Sequence, residues 1–118
     1  MKRFLLLIFL AVAASANCQP SQARYYEMRI YYCHPGRLDA LVTRFQNHTT
    51  RLFEKHGMTN EGYWLPVNNE KNALYYILSY PSKEARDQSW KAFGSDPDWK
   101  KVQTESEADG KIVASVVS

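Results

Sequence analysis

The sequence predicts a single α+β domain of the ferredoxin-like type, with the element order β-α-β-β-α-β. Apolar residues alternate with a period of two in the segments predicted as strands, and recur at spacings of three and four in those predicted as helices. The chain has 118 residues and contains no internal repeat and no Pro/Gly-rich linker. One domain of ordinary size therefore accounts for its length.

The first 16 residues have the layout of a secretory signal peptide. A basic start at Lys2 and Arg3 precedes an apolar run, and the run ends in the small-residue pattern Ala14-Ser15-Ala16. The run is too short for a membrane span, which needs roughly 20 apolar residues. We therefore expect a signal peptide at residues 1–16, cleavage after Ala16, and a secreted or periplasmic protein.

The polar segment NCQPSQAR, residues 17–24, predicts a flexible N-terminal tail, so that the folded domain covers residues 25–118. Cys18 lies in this tail, and the sequence leaves three states open for it: free, joined to Cys33 by a disulfide, or lipidated. Lipidation would make the protein a lipoprotein anchored at Cys18. The residues before Cys18 lack the leucine of a lipobox, so release after Ala16 is the favoured interpretation.

The first predicted strand is RYYEMRIYYC, residues 24–33, and it ends before Pro35-Gly36. Its even positions form an apolar face and its odd positions form a mixed face that is rich in tyrosine. These two sets are Tyr26, Met28, Ile30 and Tyr32, and Tyr25, Glu27, Arg29 and Tyr31.

A helix follows, because apolar residues recur at helical spacing along residues 38–53. The stripe that they form is expected to face the sheet, and His48 with Thr49 occupies a gap in it. Gly57 is the predicted glycine cap that ends the helix. His56 is then expected in the last turn, on the same side of the helix as the stripe.

Two further strands are predicted at residues 58–67 and 73–80, separated by the polar turn NNEKN. Ser82 is the predicted N-cap of a second helix, and Asp96-Pro97 opens a short helix after it. The segment GKIVASVVS supplies the last strand.

Both faces of the third strand, ALYYILSY, are apolar. Helices cover only one face of a ferredoxin-like sheet, so an apolar second face needs a partner. The simplest partner is a second copy of the chain, packed sheet against sheet with two-fold symmetry. The sequence therefore predicts a homodimer.

Several segments carry motifs whose order and spacing belong together: YYEMRIYYCHPGRLDALVTRF, LFEKHGM, GYWLP, YPSKEARDQSWKAFGSDPDWKKV and ESEADGKIV. In turn they resemble the opening of a NIPSNAP domain, the end of its first helix, its second strand, its segment with Trp-x-x-Phe and Asp-Pro-x-Trp, and its closing segment. The resemblance spans residues 25–114.

The resemblance implies a dimeric α/β barrel. Together with the predicted signal peptide, it predicts an exported, bacterial-type member of the family. It implies no reaction, because the family has no settled chemistry and a fold does not determine function. The wider superfamily includes cofactor-free monooxygenases, haem-degrading enzymes and members without known activity. The family usually continues its last strand further than Ser118, so the last strand of this chain is expected to be shortened.

Two histidines are candidate functional residues. His48 interrupts the apolar stripe in mid-helix, so it is a candidate catalytic base or ligand-binding residue; the alternative is a half-buried histidine bonded to a strand tyrosine. His56 is a candidate ligand-binding residue, but the helix dipole stabilises a positive charge at a helix end, which favours a structural role. About two helical turns, roughly 12 Å of rise, separate them, so they cannot share one metal ion.

Arg29, Tyr31 and Trp64 complete the candidate ligand-binding residues. Arg29 beside Tyr31 could hold an anion, whereas the favoured alternative is an ion pair between Arg29 and Glu27, within the strand pair or across a dimer. Trp64 could stack on a flat aromatic ligand, although tryptophan at strand spacing is more often part of the core.

The composition argues against other classes of function. Fifteen basic and 12 acidic residues give a net charge of only +3, and no basic run is interleaved with aromatics, so nucleic acid is not an expected partner. Two cysteines without CxxC spacing predict no metal site, and no motif predicts a cofactor.

The sequence thus favours a homodimeric module that binds a small hydrophobic or aromatic molecule without turnover. It contains no pattern that pairs a nucleophile with a base, and no phosphate-binding loop. The alternatives are a cofactor-independent monooxygenase-like enzyme with His48 as its base and, more weakly, a haem-handling protein.

Overall fold

The computed structural model describes residues 22–118. The predicted signal peptide, Cys18 and most of the predicted tail lie outside the described residues. The strands are β1 (Tyr25–Cys33), β2 (Thr59–Trp64), β3 (Ala73–Tyr80) and β4 (Val113–Val117). The helices are α1 (Leu38–Arg44), α2 (Thr50–Lys55), α3 (Lys83–Ser95) and α4 (Pro97–Ser106), and a π-helical turn, Phe45–Thr49, joins α1 to α2.

The strands form one antiparallel sheet in the order β2-β3-β1-β4, and the helices pack on one face of it. This arrangement confirms the predicted ferredoxin-like α+β fold. β4 pairs with β1 only along residues 30–33. None of the helices in the described part of the chain is long and apolar enough to cross a membrane.

The register of β1 against β3 decides which face of the sheet lies under the helices. Arg29 of β1 lies opposite Tyr76 of β3, which is fully buried, so the odd positions of β1 face the helices. The even positions lie on the other face, where Tyr26 and Met28 are exposed. The mixed face of β1 is therefore the inner one, and its charged side chains need partners there.

The core between the helices and the sheet is largely aromatic. Phe53 of α2 stacks on Tyr76 with 6.1 Å between ring centroids, and Phe93 of α3 packs against Phe53 at 5.0 Å. Phe45 meets Tyr76 nearly edge to face at 5.3 Å. These rings fix the spacing between sheet and helices, because aromatic pairs at 4.5–7 Å have preferred mutual orientations.

The π-helical turn continues the buried stripe of the first helix. The hydroxyls of Thr49 and Thr50 donate to the carbonyl oxygens of Arg44 and Phe45, at 3.3 and 3.1 Å. Arg44, Phe45 and Thr49 are all buried, so Thr49 fills the gap in the apolar stripe. Such turns inside α-helices often lie at functional sites.

The predicted helix ends are confirmed. Gly57 has a φ of +79°, its amide donates to the carbonyl of Glu54 at 3.0 Å, and the amide of Met58 donates to that of Phe53 at 3.0 Å. These two bonds form a Schellman cap, which explains the glycine. Ser82 caps α3, accepting a hydrogen bond through its hydroxyl.

Candidate functional site

A cavity of about 260 Å³ lies between the sheet and the helices. β1 and β4 supply its floor, the π-helical turn and α2 supply one wall, and α3 and α4 supply the other. We refer to it as the central cavity.

Five aromatic side chains form most of the apolar part of its wall: Tyr31, Phe45, Phe53, Phe93 and Trp99. The ring centroids of Phe93 and Trp99 are 4.6 Å apart, and Tyr31 meets Phe45 edge to face at 5.8 Å. Because the rings hold one another in place, the wall presents ordered ring surfaces to any flat molecule that enters.

The polar part of the wall is built around Arg44, whose side chain is 4% exposed. Its Nη1 donates to the hydroxyl of Ser106 at 3.3 Å and to the carboxylate of Glu107 at 3.5 Å. Its guanidinium carbon lies 5.1 Å from the ring centroid of Trp99. Its Nε is buried and has no hydrogen-bond partner among residues 22–118. Burial lowers the pKa of Arg44, and Glu107 opposes this shift only in part.

His48, the candidate catalytic base, does not line the central cavity. Its side chain is exposed on the outer side of the π-helical turn, facing the groove toward α4. The prediction that His48 lies on the sheet-facing stripe is wrong, because the stripe continues through Thr49, and adjacent helical residues point about 100° apart. Among the described residues, no tyrosine bonds to His48, so the alternative interpretation of a half-buried histidine is also wrong.

His56 lies outside the central cavity and joins two helices. It is the C-cap of α2, and its Nε2 is 2.6 Å from the carboxylate of Asp96, the N-cap of α4. Lys55 Nζ is 2.7 Å from the same carboxylate. Hydrogen bonds from Lys55, from His56 and from the amide of Asp98 hold the pKa of Asp96 well below its usual range. This geometry supports a structural role for His56, which its predicted position at the end of the helix favoured.

Arg29 lies beneath α3, where its partners are intramolecular. Its Nε donates to the hydroxyl of Tyr76 at 3.1 Å, its Nη1 is 3.5 Å from Glu27, and its guanidinium carbon is 4.2 Å from the ring centroid of Trp90. Glu27 also accepts a hydrogen bond from Arg86 Nε at 3.0 Å. The ion pair with Glu27 is therefore present, but it joins two residues of β1 and not two strands or two copies of the chain. Tyr31, its neighbour on the same face, does line the central cavity.

Trp64 lies on the face of the sheet away from the helices and is 52% exposed. Its ring covers Gly62, where a Cβ would come within 2.6 Å of a ring carbon, so a larger residue there would have to displace the ring. Together with Met28 and Leu65 it borders an apolar groove on that face. Trp64 is thus separated from Tyr31 by the sheet itself.

Of the five candidate residues, the central cavity includes only Tyr31. Arg44, Glu107 and Lys111 also line it, and sequence reasoning did not single them out. The sequence does contain an indication that Arg44 has a special role. Arg44 lies three residues after Leu41 on the buried stripe, where arginine is rarely found without a specific partner. Within residues 22–118, no three His, Cys, Asp or Glu side chains are grouped so as to hold a metal ion.

The architecture and the central cavity define a ferredoxin-like α+β protein with a pocket between its sheet and its helices. The chain belongs to the NIPSNAP family, whose family model matches residues 26–118. No curated protein matches the chain.

Solved structures share the fold at low sequence identity. A NIPSNAP family protein of unknown function from Agrobacterium tumefaciens has a TM-score of 0.69 and 17% identity, over 83% of this chain and 86% of that chain. A NIPSNAP-like domain protein from Burkholderia xenovorans has a TM-score of 0.69 and 14% identity, over 81% of each chain. A candidate antibiotic biosynthesis monooxygenase from Chloroflexus aurantiacus has a TM-score of 0.50 and 17% identity, over 81% of this chain and 87% of that chain. These likenesses show the fold alone.

Proposed function

We propose that this NIPSNAP-family chain is a homodimeric module that binds a small hydrophobic or aromatic molecule in the central cavity without turning it over. The observation behind the proposal is the aromatic wall of the cavity, with a few polar groups beside it. Ligand sites typically have this composition. At about 260 Å³ the cavity suits one or two rings; drug-sized ligands occupy sites of about 300–1,000 Å³.

The face of the sheet away from the helices, which we call the open face, supports the homodimer. Tyr26, Met28 and Trp64 are each more than half exposed on it, and Val117 of β4 adds to them. A contiguous apolar surface of this kind usually marks an association site. A two-fold dimer would cover it with the same patch from a second copy.

The ligand proposal is tested by calorimetric titration with 2-naphthamide, a neutral two-ring probe. Val116→Phe would place a ring inside the central cavity, so we expect it to weaken binding at least about tenfold by occlusion. Val67→Phe is the matched control, because Val67 is fully exposed and does not line the central cavity. Unchanged affinity in Val116→Phe, or no binding to the wild type, would contradict the proposal.

The dimer proposal is tested by sedimentation velocity at micromolar concentration. The wild type is expected to sediment as a dimer, and Met28→Lys is expected to dissociate it, because the substitution places a charge in the apolar contact. Gln88→Lys, an exposed site on α3, adds the same charge away from the open face and should leave the dimer intact. A wild-type monomer would contradict the proposal.

The enzymatic alternative predicts different results from the same protein. A monooxygenase-like protein would accelerate oxygen uptake in the presence of a dihydroxynaphthalene, and a role for His48 requires that His48→Ala abolish it. Because His48 lies outside the central cavity, we expect neither acceleration nor an effect of the variant. A Soret band of added hemin that is shifted and sharpened relative to hemin alone would favour the haem-handling alternative instead.

We further propose that the protein is exported with cleavage after Ala16. The support is the arrangement of basic, apolar and small residues in the first 16 positions. Mass spectrometry of the protein recovered from the producing cell is expected to show a chain that begins at Asn17. A mass increased by fatty acyl groups on Cys18 would show the lipoprotein alternative, and an intact N-terminus would contradict export by cleavage.

A further inference from the structure

We infer that the molecule bound in the central cavity is an aromatic oxyanion, with its ring on the aromatic wall and its carboxylate, or an equivalent anionic group, on Arg44. This inference rests on the proposed function, since it assigns a chemical class to the ligand of the same cavity. A ring joined directly to a carboxylate is the smallest molecule that meets both requirements.

The hydrogen bonds of Arg44 do not use all of its donors. The guanidinium is buried, yet its bonds are long, at 3.3 and 3.5 Å, and both leave from Nη1. Its Nε is buried without a partner among the described residues. Buried donors are normally paired, so the guanidinium of Arg44 has hydrogen-bonding capacity that residues 22–118 leave unused.

The wall of the central cavity carries a net positive charge. Among the residues that line the central cavity, Arg44 and Lys111 are cationic and Glu107 is the only carboxylate. Glu107 is 23% exposed and therefore shares its charge with solvent. The balance is one positive charge in excess, which an anionic guest would neutralise.

The shape of the guanidinium group suits a carboxylate. A guanidinium is a planar group of donors that can bind both oxygens of a carboxylate. The Trp99 ring, 5.1 Å from the guanidinium carbon, also packs against Phe93 in the aromatic wall. An aromatic acid could therefore meet the guanidinium with its carboxylate and the rings with its apolar part at the same time.

A second arginine shows that an orphaned Nε alone is not sufficient. Arg37 also has a buried Nε without a partner in residues 22–118. Its Nη2, however, donates to the carbonyls of Ser106 and Gly110, both at 3.1 Å, and Arg37 does not line the central cavity. Arg37 therefore has a structural role, and the inference concerns Arg44 alone.

The experiment compares 2-naphthoate with 2-naphthamide, which have the same rings and differ in the charge of one group. In calorimetric titrations at neutral pH, the wild type is expected to bind 2-naphthoate about tenfold more tightly than 2-naphthamide. In Arg44→Gln the ratio of the two affinities is expected to fall to about one, with little change for 2-naphthamide. Arg51→Gln removes the same charge from an exposed position on α2 and should keep the wild-type ratio.

The outcomes separate this inference from the proposed function. Equal affinities for the two probes in the wild type, or a preference that survives Arg44→Gln, would overturn the inference while the proposed function stands. Failure of both probes to bind would overturn both. If Arg44→Gln does not fold, Arg44→Lys replaces it: the charge remains but the planar group of donors is lost, so the ratio should fall about threefold, and an unchanged ratio would overturn the inference.

Discussion

Two arginines, the partly buried Arg29 and the buried Arg44, lie on the inner side of the same fold but in different surroundings. Arg29 is surrounded by Glu27, the hydroxyl of Tyr76 and the ring of Trp90, all within about 4 Å of its guanidinium atoms. Arg44 has two long bonds from one nitrogen and a partly solvated carboxylate as its counter-ion. The first arginine has its partners within the chain, whereas the second lies beside an open cavity with a donor unused.

The pKa values of the two side chains shift in opposite directions. Burial acts to lower the pKa of Arg29, but the neighbouring tyrosines and Glu27 outweigh it, and the pKa is raised. Burial also lowers the pKa of Arg44, and there Glu107 does not compensate fully. Burial of a charge therefore does not by itself distinguish the two side chains; they differ in how completely the surrounding residues compensate the charge.

The largest expected difference in the free energy of unfolding is between variants of the two carboxylates, Glu27 and Glu107, that pair with the arginines. Glu27→Gln would leave Arg29 and Arg86 without their shared counter-ion, so we expect a loss of about 3 kcal/mol in the free energy of unfolding. Glu107→Gln should cost less than about 1 kcal/mol, because Glu107 is partly solvated and its bond to Arg44 is long. Urea denaturation at neutral pH measures both, and equal losses would remove the distinction between the two regions.

A somewhat smaller contrast is expected from removing the arginines themselves. Arg29→Met should destabilise the fold by about 2 kcal/mol, because Glu27 and Tyr76 lose a charged partner. Arg44→Met should change stability by less than about 1 kcal/mol in either direction, since an under-compensated buried charge is replaced by an apolar chain. Urea midpoints of the two variants give the result. A loss in Arg44→Met as large as in Arg29→Met would show that Arg44 has a mainly structural role.

The pH dependence of stability sharpens the same comparison. Burial acts to raise the pKa of Glu27, but hydrogen bonds from Arg86 and Tyr80 outweigh it and lower the pKa. A lowered folded-state pKa contributes stability that is complete above the unfolded value of about 4.3 and is lost as the pH falls through the folded value. Urea midpoints measured from neutral pH down to below pH 4 should therefore fall less steeply in Glu27→Gln than in the wild type. Parallel curves would contradict the role of Glu27 as counter-ion.

The smallest effect is expected at the surface and sets the baseline. Lys101 and Glu105 on α4 are 3.8 Å apart, and their side chains are 74% and 66% exposed. Glu105→Gln should change the free energy of unfolding by less than about 0.5 kcal/mol. A larger loss in the same urea titrations would mean that the effects at Glu27 and Glu107 cannot be assigned to burial.

Most of the fold follows from local sequence. The order of the elements follows from periodicity, and the helix ends follow from Gly57, Ser82 and Asp96, because caps depend on a few neighbouring residues. The strand faces were harder to assign. The more apolar face of β1 lies on the open face and its charged face lies inside, since Glu27 and Arg29 are paired there by residues of α3 and β3.

The site was only partly predictable, and the π-helical turn is the main reason. The spacing predicted that His48 interrupts the inner stripe, but the turn leaves Thr49 on the inner side and His48 outside. Nothing in the local pattern distinguishes a π-helical turn from a continuous α-helix. The position of Arg44 beside Trp99 also depends on how α4 packs against the first helix, which is a long-range contact.

The most direct test of the account uses the three tryptophans as reporters, since Trp99 lines the central cavity, Trp90 lies with Arg29, and Trp64 lies on the open face. The indole N–H resonances of the ¹⁵N-labelled protein are recorded by NMR during titration with 2-naphthamide. We expect the Trp99 resonance to shift most, because Trp99 lines the central cavity. A shift confined to Trp64, or no shift in any of the three, would contradict the claim that the central cavity binds a small aromatic molecule.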